Sequence, residues 1–192
     1  MVVSAKVLKP EDRLYTYEDY LTWDDDVRYE LINGVAYALA APNLKHQEVL
    51  RELTLSIGNY LKGKSCKLFM SPVDVKPFPN KNTIVLQPDL VVVCDKNKLD
   101  GKAVVGIPDI VIEILSPSTA QKDKLVKYNI YLDAGVLEYW IVDADAKVVN
   151  VFKRKNGHYL PFAYGEEDKI ETDILEGLEI NLGEIFGVVD AE

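Results

Sequence analysis

The run Ile110-Val111-Ile112-Glu113-Ile114-Leu115 is apolar enough to fill a central strand, yet it carries one carboxylate. Burying an unpartnered carboxylate is costly, so Glu113 requires a cation, a hydrogen-bond donor or an opening to solvent. A second apolar run, Leu90 to Cys94, begins directly after Pro88-Asp89. If the two runs pair antiparallel, the start of one lies beside the end of the other, and Asp89 meets Glu113. Two such carboxylates suit Mg²⁺, with Mn²⁺ as the alternative cation. Mg²⁺ takes one or two carboxylates and keeps several waters for substrate phosphate oxygens.

A second Pro-Asp pair, Pro108-Asp109, competes for the aspartate role. Asp109 stands four residues before Glu113 on the same run, roughly 13 Å away at about 3.3 Å per residue, so one metal cannot take both. Asp109 therefore reads as a strand-entry residue. A lysine is available from the segment after the Glu113 strand, where a helix is expected to run from Ser116-Pro117-Ser118-Thr119 to Ala134 and stop at Gly135. On its wheel Lys122, Asn129 and Asp133 form the solvent stripe. Lys127 falls with Ala120, Ile130, Tyr131 and Ala134 and points toward the sheet. A plain Asp123–Lys127 pair along the helix is the competing reading of that lysine.

These residues need a scaffold, and 192 residues at 48% hydrophobic and 28% charged composition are enough for one folded domain. Residues 1–13 lack periodicity and read as a flexible leader, with 14–192 as a single domain. Thr16 caps a short helix to about Trp23, and Asn33-Gly34 turns a hairpin between Arg28 and Leu39. Leu44 to Leu61 has the three-to-four spacing of an amphipathic helix, closed by Gly63. Strands are expected at Lys67–Met70, Asp74–Lys76, Ile84–Cys94 with a break near Pro88, Ile110–Leu115, Glu138–Asp143, Lys147–Arg154 and His158–Ala163. Helices intermixed with hairpins and one strand–helix–strand unit indicate an α/β protein with a mixed central sheet.

Other chemistries lose their support on composition and motif. His46 and His158 are the two histidines, too few for a His-rich zinc site, and His46 near a helix start reads as a capping or packing residue. No glycine-rich phosphate loop is present. Cys66 and Cys94, without a CxxC spacing, read as small core residues in a reducing cytoplasm. Neither a membrane span nor a targeting segment is indicated. The net charge of −9 has the wrong sign for contact with a phosphate backbone, leaving local lysine clusters such as Lys96, Lys98 and Lys102 to supply it.

The chain resembles the Uma-type endonucleases, abundant in cyanobacteria, within the PD-(D/E)xK nuclease superfamily. The likeness rests on Tyr29-Glu30-Leu31-Ile32-Asn33-Gly34, His46, Pro88-Asp89-Leu90, Ile112 to Thr119, the spaced Asp123, Lys127 and Tyr131, and Gly135 to Asp143. It spans about Tyr15 to Phe186. The resemblance implies a restriction-endonuclease-like fold with hairpin additions, and Asp89 and Glu113 as metal ligands. It also implies Glu30 as an additional acidic site residue, and a lysine that stabilises the attacking water and the charged transition state. That lysine is expected two residues after Glu113, where this chain has Leu115, so Lys127 would have to reach in from the helix. By the same analogy DNA is the expected substrate, hydrolysed at its phosphodiester bonds, and a homodimer the expected assembly. A nuclease fold that binds nucleic acid or a protein without cutting is the alternative.

Overall fold

The computed structural model describes residues 13–116 and 123–187, with only the backbone of Asp123 and Lys124. The leader except Arg13, the Ser-Pro-Ser-Thr turn from Pro117 onward and Lys122 lie outside the described residues. Thr16 caps α1 (Tyr17–Tyr20) through a reciprocal pair of hydrogen bonds with Asp19, the capping box expected there. The hairpin β1 (Tyr29–Ile32) and β2 (Val35–Ala38) turns at Asn33 and Gly34, which hold φ of 51° and 80°. A Cβ at Gly34 would also stand 2.6 Å from that of Leu14, so glycine is required twice over. Helix α2 spans Leu44–Leu61 as its spacing dictates, with Asn43 as cap.

The remaining strands are β3 (Lys67–Met70), β4 (Asp74–Lys76), β5 (Leu90–Val93), β6 (Ala103–Val105), β7 (Ile110–Ile114), β8 (Glu138–Asp143), β9 (Val148–Lys155), β10 (His158–Tyr164), β11 (Lys169–Glu171) and β12 (Glu179–Asn181). Helix α3 (Tyr128–Ala134) ends on Gly135 at φ 93°, and α4 spans Leu182–Phe186. Six strands form the central sheet in the order β10-β9-β8-β7-β5-β3. Its β7–β8 pair is parallel and the rest antiparallel, the mixed sheet expected for this α/β class. One face of β5 and β7, carrying Leu90, Val92, Ile110, Ile112 and Ile114, packs with Val49, Leu53 and Ile57 of α2. The opposite face, carrying Val91, Val93 and Val111, packs with Tyr131 of α3 and with Ile32, Val75 and Leu86.

The break expected near Pro88 is present: Val85 and Leu86 bridge to Leu31 and Val75, and Leu90–Val93 enters the central sheet, because Pro88 has no N–H to continue a ladder. Other expectations need correction. The segment before α3 is a π-helical stretch, Asp123–Lys127, rather than a continuous α-helix. The short strands β6, β11 and β12 and helix α4 were not anticipated. Cys66 and Cys94 are joined in a disulfide, with Cα atoms 3.8 Å apart. The β3–β5 register explains the pairing: Lys67 lies opposite Val93, so the next residues outward are the two cysteines.

Candidate functional site

The antiparallel register pairs Leu90 with Ile112 and Val91 with Val111, so one step further Asp89 stands opposite Glu113. Asp89 lies just before β5, at the end of the sheet. Its Oδ2 accepts a hydrogen bond from the Ile114 N–H at 2.8 Å and lies 3.2 Å from His46 Nε2. The histidine arrives there by helix geometry, because it stands three residues before Val49 on the buried stripe of α2. Its own backbone N–H donates to the Asn43 cap at 2.8 Å. The cap of α2 is thus Asn43 and not His46, whose buried ring packs as expected and also touches the candidate aspartate.

Glu113 alternates away from Ile112 and Ile114, and so faces α3. There its Oε1 accepts from Lys127 Nζ at 2.8 Å and from the Tyr131 hydroxyl at 3.3 Å. The same ammonium lies 2.7 Å from Oε1 of Glu30, which also accepts the Gln87 N–H at 3.0 Å. All three charged groups are buried, with Glu30 at 0%, Lys127 at 2% and Glu113 at 3% exposure. Glu30 is therefore no surface carboxylate. Strand β1 is covered on both sides, Tyr29 and Leu31 facing one cluster and Ile32 the other. Burial, and next the negative charge of Glu113, push the Tyr131 hydroxyl well above its ordinary pKa, so it stays a proton donor to that carboxylate.

Around Lys127 burial runs opposite to polarity. Leu125 and Val126 are 58% and 41% exposed while the lysine beside them is inside. A π-helical stretch re-aims side chains relative to an α-helix, and such stretches recur at functional sites. Leu115, two residues after Glu113, continues the sheet by donating its N–H to Val142.

A pocket of about 170 Å³ opens over this group, lined by Asp89, Glu113 and Lys127 together with His46, Gln87 and Arg28. Asp89 and Arg28 are the more accessible of these, and Glu30 sits behind Lys127. The structure thus brings Asp89, Glu113 and Lys127 to one pocket and Glu30 into contact with its lysine. Asp109 stands apart, accepting the Cys94 N–H at 2.7 Å as a strand-entry residue does. Arg28 and Gln87 were missed by sequence reasoning. For Arg28 the signal was alternation, since it stands two residues before Glu30 on the extended β1–β2 ladder, whereas Gln87 lies across the Pro88 break from Asp89 and left none.

The pocket suits a hard divalent cation. Its donors are carboxylate oxygens, and Asp89 Oδ1 makes no hydrogen bond to a described residue. Among the described residues no three His, Cys, Asp or Glu side chains gather as a metal cluster. Mg²⁺ needs no such cluster, since it binds through one or two carboxylates and completes its shell with water.

Residues 17–183 match the Uma2 family, described as "Putative restriction endonuclease". An uncharacterised protein of Synechocystis sp. is 27% identical over 158 residues, covering 80% of this chain and 82% of that protein. The fold is similar to a crystal structure from Anabaena variabilis titled a putative nuclease belonging to DUF820. Its TM-score is 0.72 at 18% identity, covering 90% of this chain and 97% of the other.

Proposed function

Because the chain belongs to the Uma2 family of proteins described as putative restriction endonucleases, we propose that it hydrolyses DNA phosphodiester bonds with Mg²⁺ or Mn²⁺. One observation carries this reading: a buried ammonium, Lys127, held against Glu113 inside the pocket that Asp89 shares. Asp89 and Glu113 would hold the cation. When bound, it supplies Lewis acidity toward a phosphate oxygen and lowers the pKa of a coordinated water.

The chain's own residues do the positioning. The Ile114 N–H fixes Asp89, while Tyr131 and Lys127 fix Glu113, so neither carboxylate needs to reorganise on binding. Lys127 places a fixed positive charge in the pocket, where negative charge develops on phosphoryl transfer. Glu30, itself held by the Gln87 N–H, keeps that lysine aimed. Leu115 does not preclude the role, because the ammonium reaches Glu113 from the turn before α3.

A nuclease fold that binds without cutting is the second reading, favoured by the net charge of −9. Plasmid nicking with Mg²⁺ or Mn²⁺ separates the two. The wild type is expected to nick, and Lys127→Ala, compared at matched folded fraction, to lose on the order of 10²–10³ in rate. A wild type that binds DNA and never nicks would favour the second reading.

A further inference from the structure

Lys127 is not the cation best placed to meet a phosphate, since its ammonium is already 2.7 and 2.8 Å from two carboxylates. Arg28 lines the same pocket and forms no ion pair with a described residue. Its one side-chain hydrogen bond to a described residue runs from Nη1 to Ser71 Oγ at 3.0 Å. A guanidinium has five N–H donors in a planar fork, so four remain. The Ser71 hydroxyl accepts from Arg28, which leaves its own proton to donate elsewhere.

Both residues are tied to the candidate carboxylates through the backbone. The Ser71 N–H donates to the Asp89 carbonyl at 2.9 Å, and the Leu39 N–H donates to the Arg28 carbonyl at 2.9 Å, extending the β1–β2 ladder by one step. Strand alternation then puts Arg28 on the same side as Glu30, two residues on, with Arg28 the more accessible of the two. Behind them the Gln87 side chain is set by donating to Asp74 at 2.8 Å and to the Tyr20 hydroxyl at 3.0 Å. Its Oε1 is buried and has no hydrogen-bond partner among the described residues, leaving an acceptor at the same pocket.

We propose that Arg28 and Ser71 form a phosphate-receiving arm that grips the non-bridging oxygens of a DNA phosphodiester beside Asp89 and Glu113. This rests on the nuclease reading above and adds what that reading lacks, a cation free to pair with the substrate. The planar fork matches two phosphate oxygens, and the serine hydroxyl adds a third donor. In a chain of net charge −9, such a built contact has to replace diffuse attraction.

The test compares wild type, Arg28→Gln and Arg28→Lys in three measurements: calorimetry with Mn²⁺ alone, the affinity for a short DNA duplex across a salt series, and plasmid nicking. Arg28→Gln is expected to weaken duplex binding about tenfold or more. It should flatten the logarithmic salt slope by about 0.9, one phosphate's worth, without weakening Mn²⁺ binding. Arg28→Lys keeps the slope and recovers only part of the affinity, because it restores the charge and not the fork. An Arg28→Gln protein with wild-type affinity and slope would overturn the arm, while the nuclease reading would stand on Mn²⁺ binding and nicking by the wild type. A wild type that binds neither Mn²⁺ nor duplex overturns both.

Discussion

Lys127 is buried between Glu30 and Glu113, with its ammonium 2.7 and 2.8 Å from their carboxylates. Removing one partner of such a group leaves charge buried and uncompensated. Lys127→Met is therefore expected to destabilise the protein by about 3–5 kcal/mol, and adding Glu30→Gln to recover part of that loss. Urea unfolding of the single and double variants checks it, and equal stabilities would contradict the coupling. Glu113→Gln is milder, since Glu30 and Lys127 remain as a matched pair and the amide keeps the shape. Its stability is expected to stay within about 1 kcal/mol of wild type while nicking is lost. At this scale much was legible: a carboxylate in an apolar run, an aspartate at the start of another, and an inward lysine on a wheel. Glu30 was visible only through family resemblance, because β1 is covered on both sides by segments distant in sequence. His46 could not be placed against Asp89 without knowing how α2 crosses the sheet.

Among the elements, α2 was readable to its ends because two signals agree, the spacing of Val49, Leu53, Ile57 and Leu61 and the stop at Gly63, and the structure adds the Asn43 cap. Asn43→Ala removes the acceptor for the His46 N–H and is expected to cost about 1 kcal/mol, measurable by thermal unfolding. The π-helical stretch at Asp123–Lys127 was not readable, since it differs from an α-helix by a shift of hydrogen-bond partner that leaves no mark on composition. Strands of three residues, such as β11 and β12, are too short for alternation to show. The cysteine pair was hidden for another reason: residues 28 apart become neighbours only once the β3–β5 register is known. Closing that loop is expected to contribute about 2–4 kcal/mol. Reductant, or Cys66→Ser, should lower the unfolding midpoint accordingly, and an unchanged midpoint would mean that the pair contributes nothing to stability.

Taken as one molecule, the protein buries several phenol groups whose titration belongs to the fold. Burial, ahead of all other causes, raises Tyr131, Tyr17, Tyr159 and Tyr20 above their ordinary value of 10.0, and pushes Tyr29 up to about 12 with help from Asp25. A group whose folded pKa is raised contributes stability that is complete below its unfolded pKa and lost as pH climbs through the folded one. Unfolding stability should therefore hold up to about pH 10 as far as these groups are concerned and fall beyond it, with a shallower fall in Tyr131→Phe. The global charge of −9 was legible from composition, but not that Arg28 and Lys127 stand together in the pocket lined by Asp89 and Glu113. What the whole arrangement is built to do rests on one point, that Asp89 and Glu113 hold a divalent cation. Titration calorimetry of Mn²⁺ into wild type and Asp89→Asn measures it directly. The account predicts a binding heat in the wild type that disappears in the variant while its fold is retained, whereas no heat in the wild type, or the same heat in both, would contradict it.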